Sequence, residues 1–321
     1  MKSLYITGCL GFIASHFTRL CLERGWVVFG VDKKTYASNP DLLEEFSSYP
    51  NFYFYEEDIQ DLTSLNDCDY VINFAAESHV GNSIQNSASF ISSNILGVQN
   101  LLELIRQHST NTSAAPLYIQ ISTDEVYGDI HDGSHTEESL LKPSNPYSAS
   151  KAAADMLVLA WARTYGVKYL IVRPTNNYGT HQYPEKLIPL AVKLLLREKK
   201  IQLHNGGTPI RNWLHVADTC DAIMCLLESG LEDEIYNVSG SFEQTNKDTI
   251  QKIIHNFLNI LNQDTSEWED LIDFEYNRVG QDVRYAVDDN KIKSLGWKPS
   301  KSFDEEISSI VQFYMENTRW V

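Results

Sequence analysis

Tyr147 and Lys151 stand four residues apart in the run Tyr147-Ser148-Ala149-Ser150-Lys151, a spacing that on a helix puts both side chains on one face. A phenol titrates near about 10 in water and is a poor base at neutral pH unless a neighbouring cation favours the phenolate. Lys151 is positioned to be that cation, so the pair can take a proton from an alcohol. Upstream, the run Ser122-Thr123-Asp124-Glu125-Val126-Tyr127-Gly128 adds two adjacent carboxyls directly after an apolar strand-like stretch. Open α/β sheets keep their chemistry at such strand ends. Alcohol oxidation does not need this carboxyl pair, which points to a second acid/base step.

The elements that must position these groups begin at the N-terminus. Residues 3–6 read as a strand, and Thr7-Gly8-Cys9-Leu10-Gly11-Phe12-Ile13-Ala14 as a glycine turn into a helix ending near Glu23. Glycines there let backbone N–H groups approach a pyrophosphate on the helix N-terminus, and Ala14 stands where a third glycine is usual. A second strand over 26–31 ends in Asp32, whose carboxylate can accept the ribose hydroxyls of an adenosine. That carboxylate favours NAD over NADP.

Further strands are expected over 51–55, 69–74, 117–122 and 167–173, alternating with helices, which predicts an α/β fold with a doubly wound parallel Rossmann sheet. Amphipathic helices are expected over 89–108 and from about Tyr147 to Trp161, and two such helices on one side of a sheet can form a dimer seam. After Arg173 the chain becomes irregular at Pro174, Tyr178-Gly179 and Tyr183-Pro184. A helix follows over 189–200, another over 213–227, and a strand over 235–238. The expected division is a dinucleotide-binding domain of 1–173 plus about 213–241. A smaller C-terminal α/β domain of 174–212 plus about 242–321 would hold the substrate. Asn246 reads as a possible helix N-cap.

The chain has 321 residues and a net charge of −17, which repels nucleic acid and anionic membrane surfaces alike. Any phosphate-bearing ligand must be held by local cations and helix ends. The five cysteines are odd in number and show no metal-ligand spacing, as expected of reduced thiols in a cytoplasmic protein without a metal. Met1 leads directly into a strand-like run and no apolar stretch approaches the about 20 residues of a membrane span, so neither a leader nor a span is expected.

In order along the chain stand Thr7-Gly8 to His16, Asp32-Lys33-Lys34-Thr35-Tyr36-Ala37, Asp58-Ile59 and Ala75-Ala76-Glu77-Ser78-His79-Val80. They are followed by Thr123-Asp124-Glu125, Asn145-Pro146-Tyr147 to Lys151, Asn176-Asn177-Tyr178-Gly179, Pro184 to Pro189, Arg211-Asn212-Trp213, Tyr236-Asn237-Val238, Asn246 and Arg284-Tyr285. This ordered set resembles the nucleoside-diphosphate-sugar 4,6-dehydratases of the extended short-chain dehydrogenase/reductase superfamily, nearly end to end.

The resemblance implies a lyase that oxidises a hexose at C4 with NAD, eliminates water across C5 and C6, and returns the hydride to C6. Tyr147 is then the base of the oxidation, aided by Lys151 and by Thr123, with Asp124 the acid and Glu125 the base of the elimination. It implies cofactor contacts from Gly8, Gly11, Phe12, Ile13, Asp32, Lys33, Thr35, Asp58, Ile59, Ala75, Ala76, Ser78, Tyr147, Lys151 and Asn177. Substrate contacts are implied for His79, Thr123, Asn176, Lys186, Leu187, Gln202, His204, Arg211, Asn246, Arg278 and Asp282, and a homodimer for the assembly. The chain departs from the family at Gly81-Asn82, Asn212 and Gln281. dTDP-glucose, UDP-glucose and UDP-N-acetylglucosamine therefore all stay open, as do an added C5 epimerisation and a 4-epimerase or decarboxylase activity.

Overall fold

The computed structural model describes residues 1–111, 115–275 and 282–317. Its strands are β1 (Ser3–Thr7), β2 (Val27–Val31), β3 (Phe52–Tyr55), β4 (Tyr70–Asn73), β5 (Leu117–Ile121), β6 (Tyr169–Pro174), β7 (Asn176–Tyr178), β8 (Ile201–Gln202), β9 (Ile210–His215), β10 (Glu234–Val238), β11 (Glu243–Thr245) and β12 (Ile272–Asp273). Seven form one sheet in the order β10-β6-β5-β4-β1-β2-β3, every pairing parallel. Leu4, Ile6, Val71, Ile72, Leu170, Ile171 and Val172 are fully buried, as apolar runs covered on both faces must be. Strand order reverses between β1 and β4, and that switch point opens the crevice where α/β sheets bind ligands.

The helices are α1 (Phe12–Glu23), α2 (Asp41–Ser47), α3 (Val80–Gln85), α4 (Ala88–Ile91), α5 (Gly97–Asn111), α6 (Pro146–Tyr165), α7 (Leu187–Leu196), α8 (Val216–Ser229), α9 (Asn246–Ile260), α10 (Asn290–Lys293) and α11 (Phe303–Glu316). Phe17 and Cys21 of α1 and Ile223 and Leu227 of α8 pack on one face of the large sheet. Val98, Leu102 and Ile105 of α5 and Ala154 and Val158 of α6 cover the other. A second core gathers α7, α9 and α11 beside a three-stranded sheet ordered β11-β9-β7. No helix among the described residues is long and apolar enough to cross a membrane.

Three expectations are corrected. The continuous helix over 89–108 is instead α4, a π-helical segment at Ser92–Leu96, and α5. The wide turn points Asn94 inward, where its amide bonds the Glu77 backbone and the Ser150 hydroxyl, both at 2.9 Å; π-bulges often mark functional ground. Residues 213–215 are strand, paired with β7 and with Trp213 and Leu214 buried, and the helix begins at Val216. Asn246 is the first residue of α9, not its cap; the Thr245 hydroxyl accepts the Asp248 N–H at 3.0 Å.

Candidate active site

Gly8 ends β1 in a left-handed conformation, φ +67°, and a Cβ there would come within 2.9 Å of the Ala75 backbone beyond β4. Only glycine fits, and the close approach bares the N-terminus of α1, which Gly11 caps without a side chain. Asp32 takes the Leu10 N–H on one oxygen at 3.1 Å, and the Lys34 N–H and Ser38 hydroxyl on the other at 2.7 and 2.8 Å. One carboxylate thus organises both the glycine turn and the loop after β2. The Lys33 ammonium lies 3.1 Å from Asp58 and from the Ser93 hydroxyl, and Lys34 pairs with Glu56 at 2.5 Å. Both cations are already matched, which leaves neither as a dedicated partner for a 2′-phosphate. Gly8, Gly11, Phe12, Ile13, Asp32, Lys33, Thr35, Asp58, Ile59, Ala75, Ala76, Ser78 and Asn177 all line one cavity.

Thr123, Asp124, Glu125, Tyr147 and Lys151 line the same cavity. The phase of Tyr147 and Lys151 is set by a capping box at the start of α6: Asn145 accepts the Ser148 N–H at 2.9 Å while the Ser148 hydroxyl accepts the Asn145 N–H at 3.2 Å, with Pro146 at the first helical position. After β5, Thr123 caps a short 3₁₀ turn, accepting the Glu125 N–H at 3.3 Å and donating to Asp124 Oδ1 at 3.1 Å. It also opposes the rise of the nearby Tyr147 phenol.

The electrostatics separate the two carboxyls. Burial, then the charge of Glu125, pushes Asp124 up to about 7, and its buried Oδ2 has no hydrogen-bond partner among the described residues. Burial also raises Glu125, but the charges of Arg211 and Lys186 and the nearby Asn145 side chain oppose that rise. Asp124 is the better proton donor of the pair and Glu125 the better acceptor.

Lys151 departs from its expected part. Its Nζ donates to the Ile121 carbonyl at 2.6 Å, and burial lowers it to about 8 against the opposing charge of Asp155. The Tyr147 phenol rises, first through burial and then through the charge of Glu125. In this state desolvation and the carboxylates outweigh any help from the ammonium.

Asn176 and Lys186 also line the cavity, with Lys186 Nζ donating to the Ser78 carbonyl at 2.7 Å. Arg211 stacks over the Tyr285 ring at 4.9 Å and donates to the Asp282 carbonyl at 3.3 and 3.4 Å. The cavity wall does not include His79, Leu187, Gln202, His204, Arg211, Asn246 or Asp282. His79 instead accepts the Asn82 N–H at 3.1 Å at the start of α3, and Leu187 opens α7 against the second core. Gln202 ends β8, His204 begins a short 3₁₀ turn, and Asn246 opens α9. Arg278 and Gln281 lie outside the described residues. Spacing missed Tyr285, whose hydroxyl reaches Glu125, and Tyr36 and Tyr183, which pack edge to face at 5.2 Å on the cavity wall. Their aromatic character was visible; the contacts, made between distant segments, were not.

A family model described as GDP-mannose 4,6 dehydratase matches residues 5–310. A low-salt glycan biosynthesis protein, Agl12, of Haloferax volcanii is 39% identical over 97% of this chain and 97% of its own. The dTDP-glucose 4,6-dehydratase of Neisseria meningitidis is 39% identical over 100% and 95%. Among solved structures, DesIV, a dTDP-glucose 4,6-dehydratase of Streptomyces venezuelae crystallised with NAD, superposes with a TM-score of 0.90 at 37% identity, covering 99% of this chain and 98% of that one.

Proposed function

The chain belongs to the GDP-mannose 4,6 dehydratase family, and from that premise we propose that it is an NAD-dependent hydro-lyase converting a nucleoside-diphosphate hexose to its 4-keto-6-deoxy form. The observation that carries this reading is Asp124, a buried carboxyl held at about 7 beside the more readily ionised Glu125, in one cavity with Tyr147. A 4-epimerase or decarboxylase of the same superfamily needs Tyr147 but no such pair. The relatives named dTDP-glucose 4,6-dehydratase favour dTDP-glucose over UDP-glucose and UDP-N-acetylglucosamine.

The glycine cradle at Gly8, the open end of α1 and the Asp32 carboxylate fit a dinucleotide with an unphosphorylated ribose. When bound, NAD supplies a hydride acceptor for C4 and the same hydride for C6. In our reading Tyr147, as phenolate, takes the C4 hydroxyl proton and becomes the phenol, with Thr123 orienting its oxygen and the Lys151 ammonium stabilising the phenolate. The C4 ketone then acidifies C5–H. Glu125 removes the C5 proton, Asp124 protonates the departing C6 hydroxyl so that it leaves as water, and a proton finally returns to C5. Lys186 and Arg211 would hold the diphosphate that the acidic chain otherwise repels.

We further assign residues 1–173 plus about 213–241 to cofactor binding, and 174–212 plus about 242–321 to the nucleotide sugar. Five free thiols support a cytoplasmic site of action. Exposed Ile91, Leu96 and Met156, on neighbouring segments of α4 to α6, support a homodimer closed on that face.

The reading is tested by offering dTDP-glucose, UDP-glucose and UDP-N-acetylglucosamine together and weighing the products. Loss of one water from a sugar nucleotide, with a new ketone, is expected. A product isobaric with its substrate contradicts it.

A further inference from the structure

Glu125 is joined to the protein surface by a line of hydrogen-bonding groups that runs behind the cavity wall. Its Oε2 lies 3.5 Å from the hydroxyl of Tyr285, which donates in turn to Asp282 Oδ2. The same Asp282 oxygen accepts the Ser144 hydroxyl at 2.7 Å, and Ser144 is exposed. Tyr285 and Asp282 are 3% and 7% exposed, and neither they nor Ser144 line the cavity. These residues come from three segments, and the order of their contacts is carboxyl, phenol, carboxyl, surface hydroxyl.

We propose that Tyr285 and Asp282 form a proton conduit that exchanges the C5 proton held by Glu125 with bulk solvent while the sugar fills the cavity. The inference rests on the dehydration reading above and gives its base a route to water. Protonated by C5, Glu125 donates to the Tyr285 oxygen as the Tyr285 proton passes to Asp282, and Asp282 releases a proton to water at Ser144. Each bond formed is matched by one broken, and no charge resides on the phenol. Burial, first, and the charge of Glu125 hold the phenol protonated, as a neutral relay requires. Arg211 stacked on the ring and bonded to the Asp282 carbonyl keeps the two relay members in register.

The test is conversion in deuterium oxide by wild type and Tyr285→Phe, which keeps the ring and its stacking while removing the hydroxyl that links Glu125 to Asp282. Deuterium at C5 of the product is read by proton NMR. Wild type should place solvent deuterium at C5, and Tyr285→Phe should still form keto product while retaining substrate hydrogen, with exchange slowed by at least about tenfold, as for loss of a proton-transfer group. Asp282→Asn, read in the same way with its melting temperature, supports the conduit if it too retains hydrogen, and covers the case in which Tyr285→Phe does not fold. Equal deuterium in variants and wild type, or retained hydrogen in wild type, overturns the conduit. A wild-type protein that forms no keto product overturns the dehydration reading instead, so the two failures are distinct.

Discussion

Asp124 and Glu125 are neighbours in the chain with opposite surroundings: Asp124 is 3% exposed with an Oδ2 orphaned among the described residues, while the charges of Arg211 and Lys186 act on Glu125. The short turn after β5 makes this possible, because Thr123 ties down the Glu125 amide and one Asp124 oxygen together. Two like charges so close resist ionising together, which keeps one carboxyl an acid.

The first prediction is the pH dependence. Asp124 must carry its proton, so kcat/KM should fall as pH rises through about 7, the value to which burial and Glu125 push it. An alkaline limb set only by Lys151, at about 8, would assign the loss to the wrong group. A pH–rate profile of free enzyme under low substrate checks it.

Stability should change in the same sense, over a lower pH range. A carboxyl raised from 3.8 in the unfolded chain to about 7 when folded costs the fold nothing below pH 4 and an increasing amount from there to pH 7. Asp124→Asn removes that cost, so it should raise the melting temperature at pH 8 and leave it nearly unchanged at pH 4. Thermal melts at the two pH values decide this.

Asp155→Ala should do the reverse. Asp155 accepts Arg173 Nε and the Ser122 hydroxyl, each at 2.9 Å, and Arg173 is 1% exposed. Removing the acid strands a buried guanidinium and should cost about 3–5 kcal/mol in denaturant unfolding.

Cofactor retention should depend on Gly8. Gly8→Ala meets the Ala75 backbone in a conformation L residues rarely adopt, so the variant should purify with little or no dinucleotide. Extracts of the wild-type protein should contain NAD(H) and little NADP(H), because Lys33 and Lys34 are matched by Asp58 and Glu56. Chromatography of the released nucleotide reads both outcomes.

Assembly gives a fifth expectation. Met156 is 47% exposed on α6, whereas Leu157 is half-buried against the core under the large sheet. Met156→Glu should therefore shift a dimer to monomer with little loss of melting temperature, while Leu157→Glu should chiefly destabilise the fold. Light scattering at low concentration, with melts, separates the two.

Most of the sheet was legible because its strands are short apolar runs and its signals are local: the glycines after β1, Asp32 after β2, and the four-residue step from Tyr147 to Lys151. The strand over 213–215 was hidden because Trp213-Leu214 continues into a helical pattern, and only pairing with β7 reveals it. Asn94, inside an apparently regular helix, could not declare a π-helical turn whose reason is a contact with Ser150. Tyr285 was seen as part of a motif, but its link to Glu125 spans 160 residues and no spacing encodes it.

The account stands most directly on a single turnover of Glu125→Gln loaded with NAD and given sugar nucleotide. Absorbance of the reduced nicotinamide should appear, since Tyr147 and Lys151 are intact, and should persist, because elimination is slowed by about 10²–10⁴ for want of its base. Turnover of Glu125→Gln to the 4-keto-6-deoxy product at the wild-type rate would contradict the assignment of the carboxyl pair.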